Sequence, residues 1–159
     1  MSQFWHKYSQ IVSYTQDWRV RLIVANFINK EWTERSYLPR DTDWSIKEKS
    51  LFIESLILEF PVPPITIVTS RKESDYILDG VQRVRALCDF MEEGMPLNSV
   101  LHLSDLRGKT WSDLDMNDQC KFRNLVIRTV FISRRYKEDV LADIFTRLNP
   151  HYYQGQRSL

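Results

Sequence analysis

A small α+β domain, with a mixed sheet and flanking helices, is the fold class this sequence predicts, and three observations predict it. The chain has 159 residues, 43% hydrophobic and 13% aromatic, with only 4 glycines. That is enough for one packed core and unlike a collagenous, linker-like or disordered composition. Apolar residues recur at helical spacing in some stretches and as short β-branched runs in others. Two of those runs follow one another as a hairpin while the rest are separated by helices, which argues for a mixed sheet over an all-parallel one.

Taken in order, the first 44 residues hold Trp5, Trp18, Trp32 and Trp44, four of the five tryptophans. Within them Val20, Leu22, Ile23, Phe27 and Ile28 trace an amphipathic helix. This part is expected to lie as a layer over the core, with residues 1–19 as an N-terminal arm. Ser45-Ile46-Lys47-Glu48 has capping-box form, and behind it Phe52, Ile53, Leu56, Ile57 and Phe60 keep helical spacing, so a helix is predicted over 46–59. Pro61, Pro63 and Pro64 end it, because each lacks an amide donor and disfavours helix in the residue before it.

Ile65-Thr66-Ile67-Val68-Thr69 reads as a strand, polar residues 70–75 as a turn, and Tyr76-Ile77-Leu78 as the returning strand. After Asp79-Gly80 the spacing changes again. Val81, Val84, Leu87, Cys88 and Met91 mark one face of a helix that closes near Gly94 and Pro96. Trp111-Ser112-Asp113-Leu114 opens a short helical region, Leu125 to Ile132 reads as a strand, and Val140, Leu141, Ile144, Phe145 and Leu148 form a last helix ending at Asn149-Pro150. No repeat or linker interrupts the chain, so residues 1–159 are read as a single domain.

Charge and cysteine content exclude several classes of function. Lys+Arg of 22 against Asp+Glu of 21 gives a net charge of +1, so no global field holds the chain on a polyanion or an anionic membrane. Cys88 and Cys120 stand far apart with no CxxC and no clustered histidine, the pattern of reduced thiols and not of a zinc site. No run reaches the roughly 20 apolar residues of a membrane span, and the N-terminus lacks signal-peptide order. A cytoplasmic protein is the expectation.

The residues with most chemical content are Asp79-Gly80-Val81-Gln82-Arg83, at a strand-to-helix junction. Gly80 permits the sharp turn, the first helical amides point outward, and Arg83 adds a planar cation, which together suit an anion. Asp79 would repel a phosphate unless it ligates a Mg²⁺ that bridges to the phosphate oxygens, or it caps the helix. The plain alternative is a turn whose Arg83 is only solvated. Gln82 can both donate and accept a hydrogen bond there.

Three other signals are weaker. Gly108-Lys109-Thr110 is not a P-loop, because position 103 is Leu103 where the motif needs glycine. His6, His102 and His151 show no metal-ligand spacing. Arg107, Lys109, Lys121, Arg123, Arg128, Arg134, Arg135 and Lys137 face only Asp113, Asp115 and Asp118 in the same stretch, from which a set of DNA phosphate contacts at Lys121, Arg123, Arg134 and Arg135 could be assembled. A scatter of solvated charges explains them equally well, since a strand alternates its side chains between two faces. The aromatics fit a core or stacking platforms for an extruded base.

The order of these motifs resembles a known family. Leu51-Phe52-Ile53-Glu54-Ser55-Leu56-Ile57-Leu58, Phe60-Pro61-Val62-Pro63-Pro64-Ile65 and Tyr76-Ile77-Leu78-Asp79-Gly80-Val81-Gln82-Arg83 are similar to domain-of-unknown-function family 262, the N-terminal part of GmrSD-type modification-dependent restriction systems, whose hallmark is a DGQQR motif. The layout also resembles, less closely, the ParB/sulfiredoxin superfamily with its Gly-x-x-Arg box. Tyr37-Leu38-Pro39-Arg40 with Trp44, the segment Gly108 to Leu114, and Ile144-Phe145-Thr146-Arg147-Leu148-Asn149 match further family motifs, so the resemblance spans roughly residues 20 to 150. Val81 stands where the family has the first Gln of its pair, and Pro39 where it has the Gln before Arg40. After Asn149 the likeness is loose, as expected of an excised domain or of a divergent short homologue, either without the family's nuclease part.

The resemblance implies a ParB/sulfiredoxin-like fold and a nucleoside triphosphate site with Mg²⁺. Asp79, Gln82 and Arg83, beside Gly80, would meet the phosphates or the metal, and Arg40, Arg147 and Asn149 would converge on them. Several arginines and a divalent ion suit the charge of phosphoryl transfer. Asp79 or Gln82 would orient the water if hydrolysis follows. The implied role is a sensor or energy module of an anti-phage restriction system, with a nuclease domain or subunit as partner. A non-catalytic DNA-binding or partner-binding module is the alternative. A sulfiredoxin-type reductase fits less, because no cysteine lies in the Asp79 to Arg83 turn. The sequence leaves oligomeric state, a homodimer included, open.

Overall fold

The computed structural model describes residues 12–34, 43–70, 74–133 and 138–149. Its chain order is β1 (Ser13–Arg19), α1 (Val20–Ile28), β2 (Trp32–Glu34), α2 (Ile46–Ile57), β3 (Ile65–Thr69), β4 (Asp75–Asp79), α3 (Val81–Met91), two 3₁₀ turns (Ser104–Leu106 and Trp111–Asp113), α4 (Met116–Asn124), β5 (Val126–Ser133) and α5 (Glu138–Leu148). The five strands form one sheet in the order β1-β5-β3-β4-β2. β3 runs parallel to β5 and antiparallel to β4. The mixed sheet expected from the sequence is therefore present.

The alternation of the central strands shows why their sequences are apolar throughout. Ile65, Ile67 and Ile77 join the larger core cluster with residues of α1, α2, α3 and α4, while Val68, Tyr76 and Leu78 join a second cluster with Leu141 and Phe145 of α5. Successive residues of a strand point to opposite faces, so β3 and β4 must be apolar on both.

The capping box is formed in both directions: the Glu48 amide donates to Ser45 Oγ, and Glu48 Oε2 accepts from the Ser45 amide at 2.8 Å. α2 ends two residues earlier than the expected 59. The larger difference lies at the N-terminus. Residues 13–19, expected as an arm, are an edge strand paired antiparallel with β5 from Ser13↔Ile132 to Arg19↔Val126. Their signal is weak because an edge strand that meets the core through little more than Trp18 keeps a mostly polar, exposed sequence.

β1 and β2 occupy opposite edges of the sheet, yet the ring centroids of Trp18 and Trp32 are 5.0 Å apart. Both indoles also meet Phe131, at 5.8 and 6.2 Å. The sheet is thus curled until its two edges share an aromatic seam. Trp18, Trp32, Trp44 and Trp111 all belong to the larger core or pack against it, which is the core reading of the aromatic excess. No helix among the described residues is long and apolar enough to cross a membrane.

Candidate functional site

The turn between β4 and α3 is built by a backbone that only glycine adopts easily. Gly80 has φ 101° and ψ 13°, the left-handed region, and stands at the N-cap of α3. Having no side chain, it cannot cap the helix, and Asp79 does not do so either. Among the described residues no side chain caps the first-turn amides of α3.

Asp79 is instead committed to Arg83. Arg83 Nη2 donates to Asp79 Oδ2 at 2.7 Å and to the Pro64 carbonyl at 3.1 Å. The two side chains are 17% and 12% exposed, so Arg83 is not a solvated surface residue. Its Nε is buried without a hydrogen-bond partner among the described residues. A Cβ at position 80 would lie 3.0 Å from Arg83 Nη2 and 3.2 Å from both Nε and Ile65 Cγ1. The guanidinium therefore lies directly on the bare α-carbon of Gly80, so this glycine serves both the turn and the arginine.

Gln82 is buried, and both ends of its amide are in use. Its Oε1 accepts from the Trp44 amide at 3.1 Å, and its Nε2 donates to Asp43 Oδ1 at 3.4 Å. Gln82 thus seats the 43–44 segment, which leads into α2, on the first turn of α3. Arg85 strengthens the same junction. It grips Glu34 with Nε and Nη2 at 2.8 and 2.6 Å and pairs with Asp43 through Nη1. The bond to Glu34 and, against desolvation, the nearby charges of Glu34 and Asp43 raise its pKa further. Lys49 on α2 meets Asp89 on α3 at 2.6 Å. α3 is held from several sides.

The remaining expected site residues are dispersed. Arg40, Arg134 and Arg135 lie outside the described residues. Arg147 is exposed on α5, and Asn149 follows it, donating through both its backbone N and its Nδ2 to the Phe145 carbonyl at 3.0 Å. α5 packs on the sheet face opposite to α3, and no hydrogen bond or ion pair links Arg147 or Asn149 to Asp79, Gln82 or Arg83 among the described residues. Lys121 pairs with Asp118 at 3.3 Å, and the Arg123 guanidinium stands 5.3 Å from the Trp111 ring centre. Arg128 pairs with Asp17.

Two local features bear on ligands. A groove of about 570 Å³ is lined by Asp17, Phe60, Pro61, Val62, Pro64 and Arg128 among others, but by none of residues 79–83. No group of three or more His, Cys, Asp or Glu suited to a metal occurs among the described residues. Asp79 is the single carboxylate of the turn, with Oδ1 outside its ion pair. Such a donor set fits a Mg²⁺ that keeps water and phosphate oxygens, and it does not fit a metal held by protein alone. Cys88, half a helix away, is buried with its thiol pushed up to about 12 by burial and by Asp89, Glu92 and Glu93. It stays protonated at neutral pH, which removes it as a redox nucleophile.

Arg85, Glu34 and Asp43 escaped the sequence reading because nothing local marks a pairing across about fifty residues. Glu54 does carry a sequence signal, an acid within the apolar stripe of α2. It is buried and accepts from the amides of Leu101, His102 and Leu103 at 2.9, 2.7 and 2.8 Å.

The model of the family described as GmrSD restriction endonuclease, N-terminal domain, matches residues 24–152. No curated protein matches the chain in sequence. Among solved structures, the C-terminally truncated chromosome-partitioning protein ParB from Caulobacter crescentus, complexed with CTP-gamma-S, is similar with a TM-score of 0.45 and 11% identity. The likeness covers 87% of this chain and 53% of that one, so the chain spans about half the length of the ParB structure.

Proposed function

The chain belongs to the family of GmrSD restriction endonuclease N-terminal domains, and we propose from that membership and from the β4–α3 turn that it binds a nucleoside triphosphate with Mg²⁺. The observation that carries the proposal is the Arg83 guanidinium seated over Gly80 beside helical amides that no side chain caps among the described residues. That arrangement suits a phosphate chain, since the helix start and a planar cation both favour negative charge. Asp79 would hold the Mg²⁺ together with phosphate oxygens, and the ion would offset charge along the triphosphate.

This reading favours binding over turnover. Hydrolysis needs a group free to orient water, and the Gln82 amide is used at both ends. The module then serves as a nucleotide-responsive part of a restriction system whose cutting is done by a nuclease domain or subunit. The pairing of Lys121 with Asp118 and the stacking of Arg123 on Trp111 give direct DNA contact no specific support.

The test titrates the four nucleoside triphosphates with Mg²⁺ and follows thermal shift and phosphate release for wild type and Arg83→Ala. A shift that disappears in Arg83→Ala supports the site. Absence of a shift with every triphosphate overturns it. Binding without release identifies a switch and not an enzyme.

A further inference from the structure

The two formal charges of the β4–α3 turn already neutralise each other. We infer that the Asp79–Arg83 pair is a lock that a phosphate chain and a divalent cation open only together. The inference rests on the turn being a phosphate site.

The geometry opposes either ligand alone. A phosphate arriving by itself meets an Arg83 whose charge is offset by a carboxylate 2.7 Å away, within a pair that is 12% and 17% exposed. Little solvent stands between the groups to screen the carboxylate from the incoming anion. A cation arriving by itself finds one carboxylate, no further acidic ligand in the turn, and a guanidinium beside it. Arg83 has little room to withdraw toward Gly80, since its Nη2 and Nε already lie 3.0 and 3.2 Å from where a Cβ at that position would stand.

When both arrive, each charge exchanges one partner for another. Asp79 passes from the guanidinium to the cation, Arg83 passes from Asp79 to a phosphate oxygen, and no charge is left bare at a half-buried site. Arg83 keeps its anchor on the Pro64 carbonyl, so it swings and does not leave. The cation and the phosphate are then thermodynamically coupled: each raises the affinity for the other by the same factor. The Nε of Arg83, without a hydrogen-bond partner among the described residues, fits a side chain whose donors are completed in the bound state.

Isothermal titration of the full chain with inorganic triphosphate in EDTA, with inorganic triphosphate plus Mg²⁺, and with Mg²⁺ alone tests the lock. Wild type is expected to bind the combination about tenfold or more tightly than triphosphate in EDTA, the size of a close like-charge repulsion with little screening. Asp79→Asn is expected to bind triphosphate in EDTA, with Mg²⁺ then adding less than about threefold, under 1 kcal/mol. Wild type that binds triphosphate equally with and without Mg²⁺, or Asp79→Asn that still requires Mg²⁺, overturns the lock and leaves the phosphate site standing. No binding in any arm overturns the phosphate site and the lock with it. Where the variant fails to fold, wild type that binds triphosphate equally in EDTA still overturns the lock.

Discussion

Asp79 Oδ2 and the Arg83 guanidinium stand 2.7 Å apart across the one turn that joins β4 to α3. Removing Arg83 leaves a half-buried carboxylate without its partner and frees the Pro64 carbonyl. Arg83→Ala should cost about 1–3 kcal/mol, the range for a lost charge-assisted hydrogen bond, read as a lower urea midpoint. Arg83→Lys should recover part of the stability and little of the triphosphate binding, because an ammonium cannot serve Pro64 and a phosphate as a flat fork does. Equal binding by Lys and Arg would contradict the role given to the guanidinium plane.

Gly80 supplies a second test. Alanine there must adopt φ 101° and place its Cβ 3.0 Å from Arg83 Nη2. The expected loss is about 1–3 kcal/mol from the backbone conformation, with weaker triphosphate binding because the guanidinium is pushed aside. The discriminating control is Gly94→Ala, where φ is 70° but nothing lies within 4 Å of the added carbon. It should lose stability without losing phosphate binding.

Glu54 makes acid sensitivity predictable in sign. Burial pushes its carboxyl upward, while the amides of Leu101, Leu103 and His102 and the His102 charge together outweigh that and hold it below the ordinary 4.5. A carboxyl lowered in the folded state leaves the unfolded chain holding more protons in that window. Its stabilisation is therefore complete above the ordinary value and is lost as pH falls through the lowered one. Glu54→Gln should cost about 2 kcal/mol at neutral pH and flatten the loss of stability on acidification below pH 4.5. An unchanged acid-unfolding curve would show that the loop anchored by Glu54 does not govern this response.

Arg85 closes the junction between Glu34 and Asp43, the described residues on either side of Arg40. Its partners are 33% and 74% exposed, so Arg85→Ala should cost only about 1 kcal/mol of stability. A larger proportional effect on triphosphate binding is expected if Arg40 belongs to the site, and Arg40→Ala should reproduce it. Binding unaffected by both changes would remove Arg40 from the site.

How much of this was legible without coordinates depended on the range of the interactions. The capping box at Ser45, the prolines after α2, the β-branched run of β3 and the glycine turn at Gly80 act within a few residues and can be read directly. β2 is only three residues long, and β1 is a polar edge strand whose partner lies more than a hundred residues away, so neither leaves a local pattern. The Asp79 to Arg83 motif identified the place of the site but not its state. That Asp79 and Arg83 neutralise each other, that Gln82 is occupied by Trp44 and Asp43, and that Arg147 lies across the sheet are facts of tertiary placement.

The pairing of β1 with β5 also orders events in time. Ser13–Arg19 leaves the ribosome more than a hundred residues before its hydrogen-bonding partner, Val126–Ser133. Until then the N-terminal strand has no edge to join, and the indole of Trp18 cannot bury itself against Phe131. Contacts of such long sequence separation slow folding and prolong the exposure of unpaired strand edges. Closure of this edge of the sheet thus waits on the synthesis of β5, the strand that holds β1 in place.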